Sequence, residues 1–294
     1  MKITNRSNLP DALVRAIEND PYDKGDSDFT ATGLLKPARI VALEKRHAHE
    51  IEDDAEDGLY RLYGQVAHGI LERANMNDLA EKRFFAPFEV NGTVYKVSAQ
   101  LDTLSLSDGP LSDFKFTTAW GFKSDKPPKP EYVAQLNIQL ELLRVNGLDA
   151  TKLQIIGLLR DWQIRDAKND PNYPQAPVAV MSIPMWSRAQ TQAFIKMRIA
   201  AHLDAARELP ECSPDERWAK PDQWAVVKGK RAINGGVQLK QEVAESIAAR
   251  NPGTFVQHRP GENTRCQSYC SVAQFCTQAK RNQNQSADSG EESA

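Results

Sequence analysis

From Arg83 onward apolar and polar positions alternate with a period of two. The alternation covers Phe85 to Val90, Thr93 to Leu106 and Leu111 to Phe116, and predicts three strands. Between them stand Asn91-Gly92 and Asp108-Gly109, dipeptides suited to two-residue hairpin loops, so an antiparallel meander is expected. Upstream the spacing is helical. Leu59, Leu62, Tyr63, Val66 and Ile70 recur on one face, within a stretch from Leu9 to Asn75 that reads as helical throughout. Six acidic residues between Glu50 and Asp57 precede that stripe and read as a solvated face or as helix N-terminal charge. After a Lys/Pro loop ending at Pro130, Glu131 to Asn146 reads as an amphipathic helix closed by Gly147. Strands are expected at Leu153 to Trp162 and Val178 to Ile183, then a long helix from Ser187 to Leu209. This order indicates an α/β or α+β fold, a central mixed sheet flanked by helices.

Composition narrows the class. The chain has 294 residues, 40% of them apolar and 26% charged, enough for one large core with a small appended module. We expect a core with an N-terminal helical region over 1–209, a cysteine-held lobe over 210–278, and a disordered tail over 279–294, where Gln, Asn, Ser and Glu dominate. No apolar run approaches the roughly 20 residues that cross a bilayer, and the first ten residues lack a secretory signature. A soluble, intracellular protein is therefore expected, with no membrane partner. A net charge of −2 argues against an all-round basic nucleic-acid coat but leaves room for a local basic rim, for which Lys115, Lys123, Lys126 and Lys129 are candidates.

The hairpin around Asp108-Gly109 carries the chemistry. A two-residue turn there sets Asp102 across from Lys115 and Asp113 diagonally from Asp102, with Asp113 and Lys115 on one face and Phe114 and Phe116 on the other. Cross-strand Cβ atoms are roughly 4.5–5.5 Å apart and diagonal ones roughly 7–8 Å, so both carboxylates reach one cation. Two hard oxygen ligands and an ammonium suit phosphodiester hydrolysis: Mg²⁺ or Mn²⁺ polarises the phosphate and acidifies a water, and the ammonium steadies developing charge. Taken alone, the same residues also make an ordinary cross-strand ion pair.

The motifs resemble the PD-(D/E)XK nuclease superfamily, in particular its RecB-like exonuclease branch, which includes nucleases of CRISPR adaptation and phage recombination. The residues that carry this are Tyr63-Gly-Gln-Val-Ala-His-Gly-Ile-Leu71 with Gly64 and His68, Gln100-Leu-Asp-Thr103 with Asp102, Asp113-Phe-Lys115, and Tyr132-Val-Ala-Gln-Leu136 with Gln135. Their order covers about half the chain, from Thr30 to Trp162. Leu101 stands where the superfamily's name has proline, and Gln139 where this branch has a tyrosine. The resemblance implies a restriction-endonuclease-like core. In it His68, Asp102, Asp113 and the Phe114 carbonyl bind metal, Lys115 is the catalytic lysine, and Gln135 orients the site or contacts DNA. It further implies a metal-dependent DNA exonuclease of recombination, repair or phage DNA processing, cytoplasmic in a bacterial or phage-infected cell. Its partners would be DNA ends and a recombination protein such as a single-strand annealing protein. An inactive nuclease fold that only binds DNA or assembles is the alternative, and an enzyme on small phosphate esters a third reading. Trp120 is a further candidate for nucleic-acid contact, Phe122 for core packing. His47, His49, His202 and His258 are expected at the surface.

Cys266, Cys270 and Cys276 form a C-x3-C-x5-C array, with Cys212 as the available fourth thiolate. Four thiolates complete a tetrahedral zinc site or an iron–sulfur cluster. The array is similar to the iron–sulfur staple of AddB-like and CRISPR-adaptation nucleases, which implies a structural [4Fe–4S] cluster, with Zn²⁺ as the alternative.

Overall fold

The computed structural model describes residues 2–20, 23–74, 79–106 and 109–282. By compactness the chain forms two units, Met1–Lys36 with Glu52–Arg207, and Pro37–Ile51 with Glu208–Ala294. The second unit takes up the chain again at Glu208 and also includes 37–51, a membership that local pattern does not reveal.

The first unit runs β1 (Lys2–Thr4), α1 (Asp11–Glu18), β2 (Phe29–Thr30) and α2 (Ala31–Leu35); α3 (Ala38–Arg46) belongs to the second unit. It resumes with β3 (Glu52–Asp54), α4 (Leu59–Ala74), β4 (Leu79–Ala80), β5 (Arg83–Val90), β6 (Thr93–Gln100), β7 (Thr103–Leu104) and β8 (Pro110–Thr117). After these come α5 (Pro130–Val145), β9 (Lys152–Leu159), α6 (Ile164–Asn169), β10 (Val178–Ile183) and α7 (Arg188–Arg207). The architecture is α/β, with mixed sheets flanked by helices. Strands order as β10-β9-β8-β7-β4 in one sheet and β2-β6-β5 in another. β8 and β9 are parallel, and the crossover between them is α5. Among the described residues no helix is long and apolar enough to cross a membrane.

Several expectations change. The stretch from Leu9 to Ala74 is mainly helical, as α1 to α4, but β2 and β3 interrupt it, with Gly25 at a left-handed φ of +64° before β2 and Pro37 capping α3. Val90 pairs with Thr93, and Asn91 and Gly92 both have positive φ, which is the two-residue turn expected. The third member of the meander leaves it, because the chain bends at Leu101–Asp102 and β7 enters the other sheet. Hydrogen bonds from Glu81 N to Asp102 O and from Leu101 N to Lys82 O link the two sheets at this bend. The loop before β8 is also longer than two residues. Ser105 N bonds Pro110 O, and Thr103 pairs with Ser112. One step outward this register sets Asp102 beside Asp113, not across from Lys115. Ser107 and Asp108, half of the expected turn, lie outside the described residues.

Helix α5 was expected to be amphipathic, yet it is buried on nearly every side, from Ala134 through Leu143. Sheet strands, α2 and α7 all pack on it. Several of its polar atoms are correspondingly bonded: Asn137 donates to Val133 O and Pro184 O and accepts from Trp186 N, and Glu141 Oε1 accepts from Arg188 and Gln192. The α4 stripe behaves oppositely. Tyr63, Val66 and Ile70 are exposed, and the helix meets β8 through the Tyr63–Phe116 ring contact at 5.9 Å.

The second unit contains α3, a β13-β12-β14 antiparallel sheet (Arg231–Gln238, Gln223–Lys228, Phe255–Arg259) with α8 (Gln241–Ala249) on it, and the two-residue strands β11 (Ala219–Lys220) and β15 (Glu262–Asn263). A short α9 (Thr264–Ser268) follows. Residues 277–282, assigned above to the tail or its edge, are helical, and Ala279 is buried with Leu43, Ile51, Val272 and Cys276. The rest of the expected tail lies outside the described residues.

Candidate active site

The bend after β6, the central strand β8, the helices α4 and α5 and the link between β4 and β5 deliver six side chains to one cavity of about 260 Å³. His68, Glu81, Asp102, Asp113, Lys115 and Gln135 line it, with Gln100 and Gln139 beside them. Period two on β8 puts Asp113 and Lys115 on one face. Phe116 points away, as expected, but is 40% exposed and not core.

Asp113 is 1% exposed and held on both oxygens: Gln135 Nε2 donates to Oδ1 at 2.6 Å, and Lys115 Nζ lies 2.5 Å from Oδ2. Gln135 thus fixes the Asp113 carboxylate. Asp102 Oδ2 accepts the Phe114 N–H at 2.6 Å. In an extended strand a residue's N–H and C=O leave by the same edge, so the Phe114 carbonyl faces the Asp102 edge too. His68 Nδ1 is 3.7 Å from Asp102 Oδ2 and 3.1 Å from Glu81 Oε1.

Glu81 was not foreseen. Its backbone sits at φ +48°, a left-handed conformation that a non-glycine residue adopts only where its surroundings enforce it. The conformation turns the carboxylate to His68, and Gln100 Nε2 holds the second oxygen at 2.7 Å. His68, Glu81 and Asp102 each offer a ligand atom within 4.8 Å of the others, so this trio, with no Asp113 in it, is the tightest donor set for a metal among the described residues. Asp113, predicted as a ligand, stands next to the trio with its oxygens engaged by Lys115 and Gln135. No periodic signal marks Glu81, which lies between two strands.

The crowding of buried charges shifts the titration of these groups. Burial, reinforced by the Asp113 charge, pushes the Asp102 carboxyl up to about 7. Burial opposes the charge on Lys115 too, but the adjoining Asp113 outweighs it and holds the ammonium above its ordinary value. The hydrogen bond to Glu81 raises His68 against the effect of burial. Burial would raise Glu81, yet the bonds from His68 and Gln100 hold it below the usual carboxylate value. Gln139, the residue standing in place of the branch's tyrosine, donates to Gln100 O, while its Oε1 is buried without a hydrogen-bond partner. A cation's water shell or a substrate group would satisfy that orphaned acceptor.

Beyond the end of β8, Trp120 is 64% exposed, with Lys126 and Lys123 Nζ 4.6 and 5.3 Å from its ring; Lys123 also pairs with Asp170 at 2.8 Å, and Lys129 lies 5.3 Å from the Tyr132 ring. Phe122 packs inward against Gly157, where a Cβ would meet its ring at 2.5 Å, as core packing predicts. Of the remaining histidines, His202 corrects the surface expectation: it is buried, its Nε2 3.2 Å from Leu34 O, because α7 packs on α2. His258 pairs with Asp222, and His47 with Glu50.

In the second unit Cys212, Cys266, Cys270 and Cys276 are all free thiols lining one small cavity of about 10 Å³. Burial pushes the Cys212 thiol up to about 12 and raises Cys266 and Cys270 as well. Arg39, Arg217 and Arg265 line the same cavity.

No family model matches the chain, and no curated protein does. Among solved structures, the crystal structure of SSO0001 is similar at 18% identity and a TM-score of 0.46, over 64% of this chain and 84% of that one.

Proposed function

We propose that this protein is a metal-dependent nuclease of the restriction-endonuclease-like class that hydrolyses DNA phosphodiester bonds, acting from DNA ends. The observation that carries the reading is the convergence of Asp102, Asp113 and Lys115 with His68 and Glu81 on one cavity. His68, Glu81 and Asp102 would hold Mg²⁺ or Mn²⁺, with Asp113 and the Phe114 carbonyl completing the oxygen-rich set. When bound, the ion polarises the phosphate and acidifies a water.

The chain's own groups do the rest. Burial and the Asp113 charge raise the Asp102 carboxyl to about 7, and a bound cation would favour its ionised form. Gln135 fixes Asp113, and Asp113 fixes the Lys115 ammonium where negative charge on a phosphate would develop. Lys123 and Lys126 around Trp120, and Lys129 beside Tyr132, form a basic, aromatic rim suited to backbone contact and base stacking.

The four thiols suit a thiolate-held metal centre that staples the second unit. Resemblance points to [4Fe–4S]. Zn²⁺ is the alternative, since four thiolates complete either centre.

End-labelled DNA incubated with the protein should be degraded with Mg²⁺ or Mn²⁺ and remain intact with chelator. Lys115→Ala should lower the rate by about 10²- to 10³-fold while the fold and metal affinity persist. Intact DNA in every divalent metal, or undiminished cleavage by the Ala variant, would overturn the proposal.

A further inference from the structure

α3 carries Arg39, which is 5% exposed. Its Nε donates to Cys276 Sγ at 3.1 Å, its Nη1 to Leu209 O and Pro210 O, and its Nη2 to Thr277 Oγ1 at 2.8 Å. These partners are a thiol, two carbonyls and a hydroxyl; none bears negative charge while the cysteines are protonated. Glu216 lines the cavity and accepts from Ser213 N–H, Glu211, which pairs with Arg281, also feels the Arg39 charge, and Arg217 and Arg265 bring further positive charge to the same space. None of the hydrogen bonds named for Arg39 goes to a carboxylate, and a buried guanidinium is stabilised by negative charge in direct contact. Four thiolates around a metal supply that charge, because their combined negative charge exceeds that of the ion or cluster they hold.

We propose that Arg39 is the counter-ion and N–H···S donor of a metal–thiolate centre built by Cys212, Cys266, Cys270 and Cys276, a positioning residue whose role rests on the cysteine centre proposed above. Its hydrogen bonds to Leu209 O, Pro210 O and Thr277 fix the guanidinium, so the N–H···S bond fixes Cys276 in turn. By favouring the more negatively charged state, the bond and charge also raise the reduction potential of any redox-active centre there.

The test compares full-length, anaerobically purified wild type with Arg39→Met and Arg39→Lys, measuring iron, acid-labile sulfide and zinc per chain, and melting before and after chelation. Wild type should carry iron with sulfide, or zinc, and so reveal which centre forms. Arg39→Met should lose about 10- to 100-fold in affinity for that metal and melt lower when loaded. After chelation it should melt closer to wild type, because the thiolate charge that Arg39 meets is gone with the metal. Arg39→Lys, which keeps the charge, should retain more metal than Arg39→Met, and with an iron–sulfur centre both variants should show a lower midpoint potential. A Met variant weakened equally with and without metal would make Arg39 a packing residue and overturn the inference, as would a Met variant with wild-type metal content and loaded melting temperature. Wild type free of metal and sulfide would overturn the cysteine centre itself, and the Arg39 role with it.

Discussion

Replacing Asp102 by its neutral isostere offers the sharpest test of the active-site electrostatics. The rise of the Asp102 carboxyl from 3.8 to about 7 spans about three pH units, and at about 1.4 kcal/mol each the ionised form is disfavoured by about 4 kcal/mol in the metal-free fold. A group whose folded value is raised contributes stability that is complete below its unfolded value and disappears as pH climbs through the folded one. Metal-free wild type should therefore lose about 4 kcal/mol between about pH 4 and pH 7. His68, also raised, adds to the decline above 6.5. Glu81, lowered, acts the other way, losing its contribution only as pH falls below the ordinary carboxylate range, so a window of pH 5 to 8 isolates Asp102 and His68. Asp102→Asn keeps an acceptor for the Phe114 N–H but has no proton to lose, so its decline should be shallow. Urea titrations read by amide exchange in β8 and α5 would report this unit by itself. Added Mg²⁺ should flatten the wild-type slope, since the cation takes the proton's place, and should leave the Asn variant unchanged. Equal slopes in the two proteins, or equal stabilisation of both by Mg²⁺, would refute the reasoning.

Two further outcomes follow from the same geometry. Glu81→Gln should weaken Mn²⁺ binding by about 10- to 100-fold in calorimetric titration, because it removes charge from the donor trio and the carboxylate that orients His68; unchanged affinity would move the ion toward Asp113. Leu136→Ala, at a fully buried position on α5 next to Gln135, should cost about 2–5 kcal/mol in denaturant and reduce cleavage only in proportion to unfolding, as measured at a temperature where the variant is folded.

What this chain's sequence determines is local. Dihedral preference places the Asn91-Gly92 turn, alternation puts Asp113 and Lys115 on one face of β8, and the Pro and Gly boundaries mark α5. Each depends on a few neighbouring residues, so each can be read in a line. The crowding of Cys266, Cys270 and Cys276 is equally visible, and the structure brings Cys212 to them. Periodicity says which face a residue occupies and nothing about its partner across the gap, where the tertiary structure decided otherwise. A longer loop before β8 moved Asp102 beside Asp113, and a left-handed residue between two strands turned Glu81 to His68, 13 positions away in the chain. Packing on all sides hid the polar face of α5 and left the apolar stripe of α4 to solvent. Among the described residues the longest reach is that of Arg39 to Cys276 and Thr277, 237 and 238 residues away, pairings that no pattern along the chain marks.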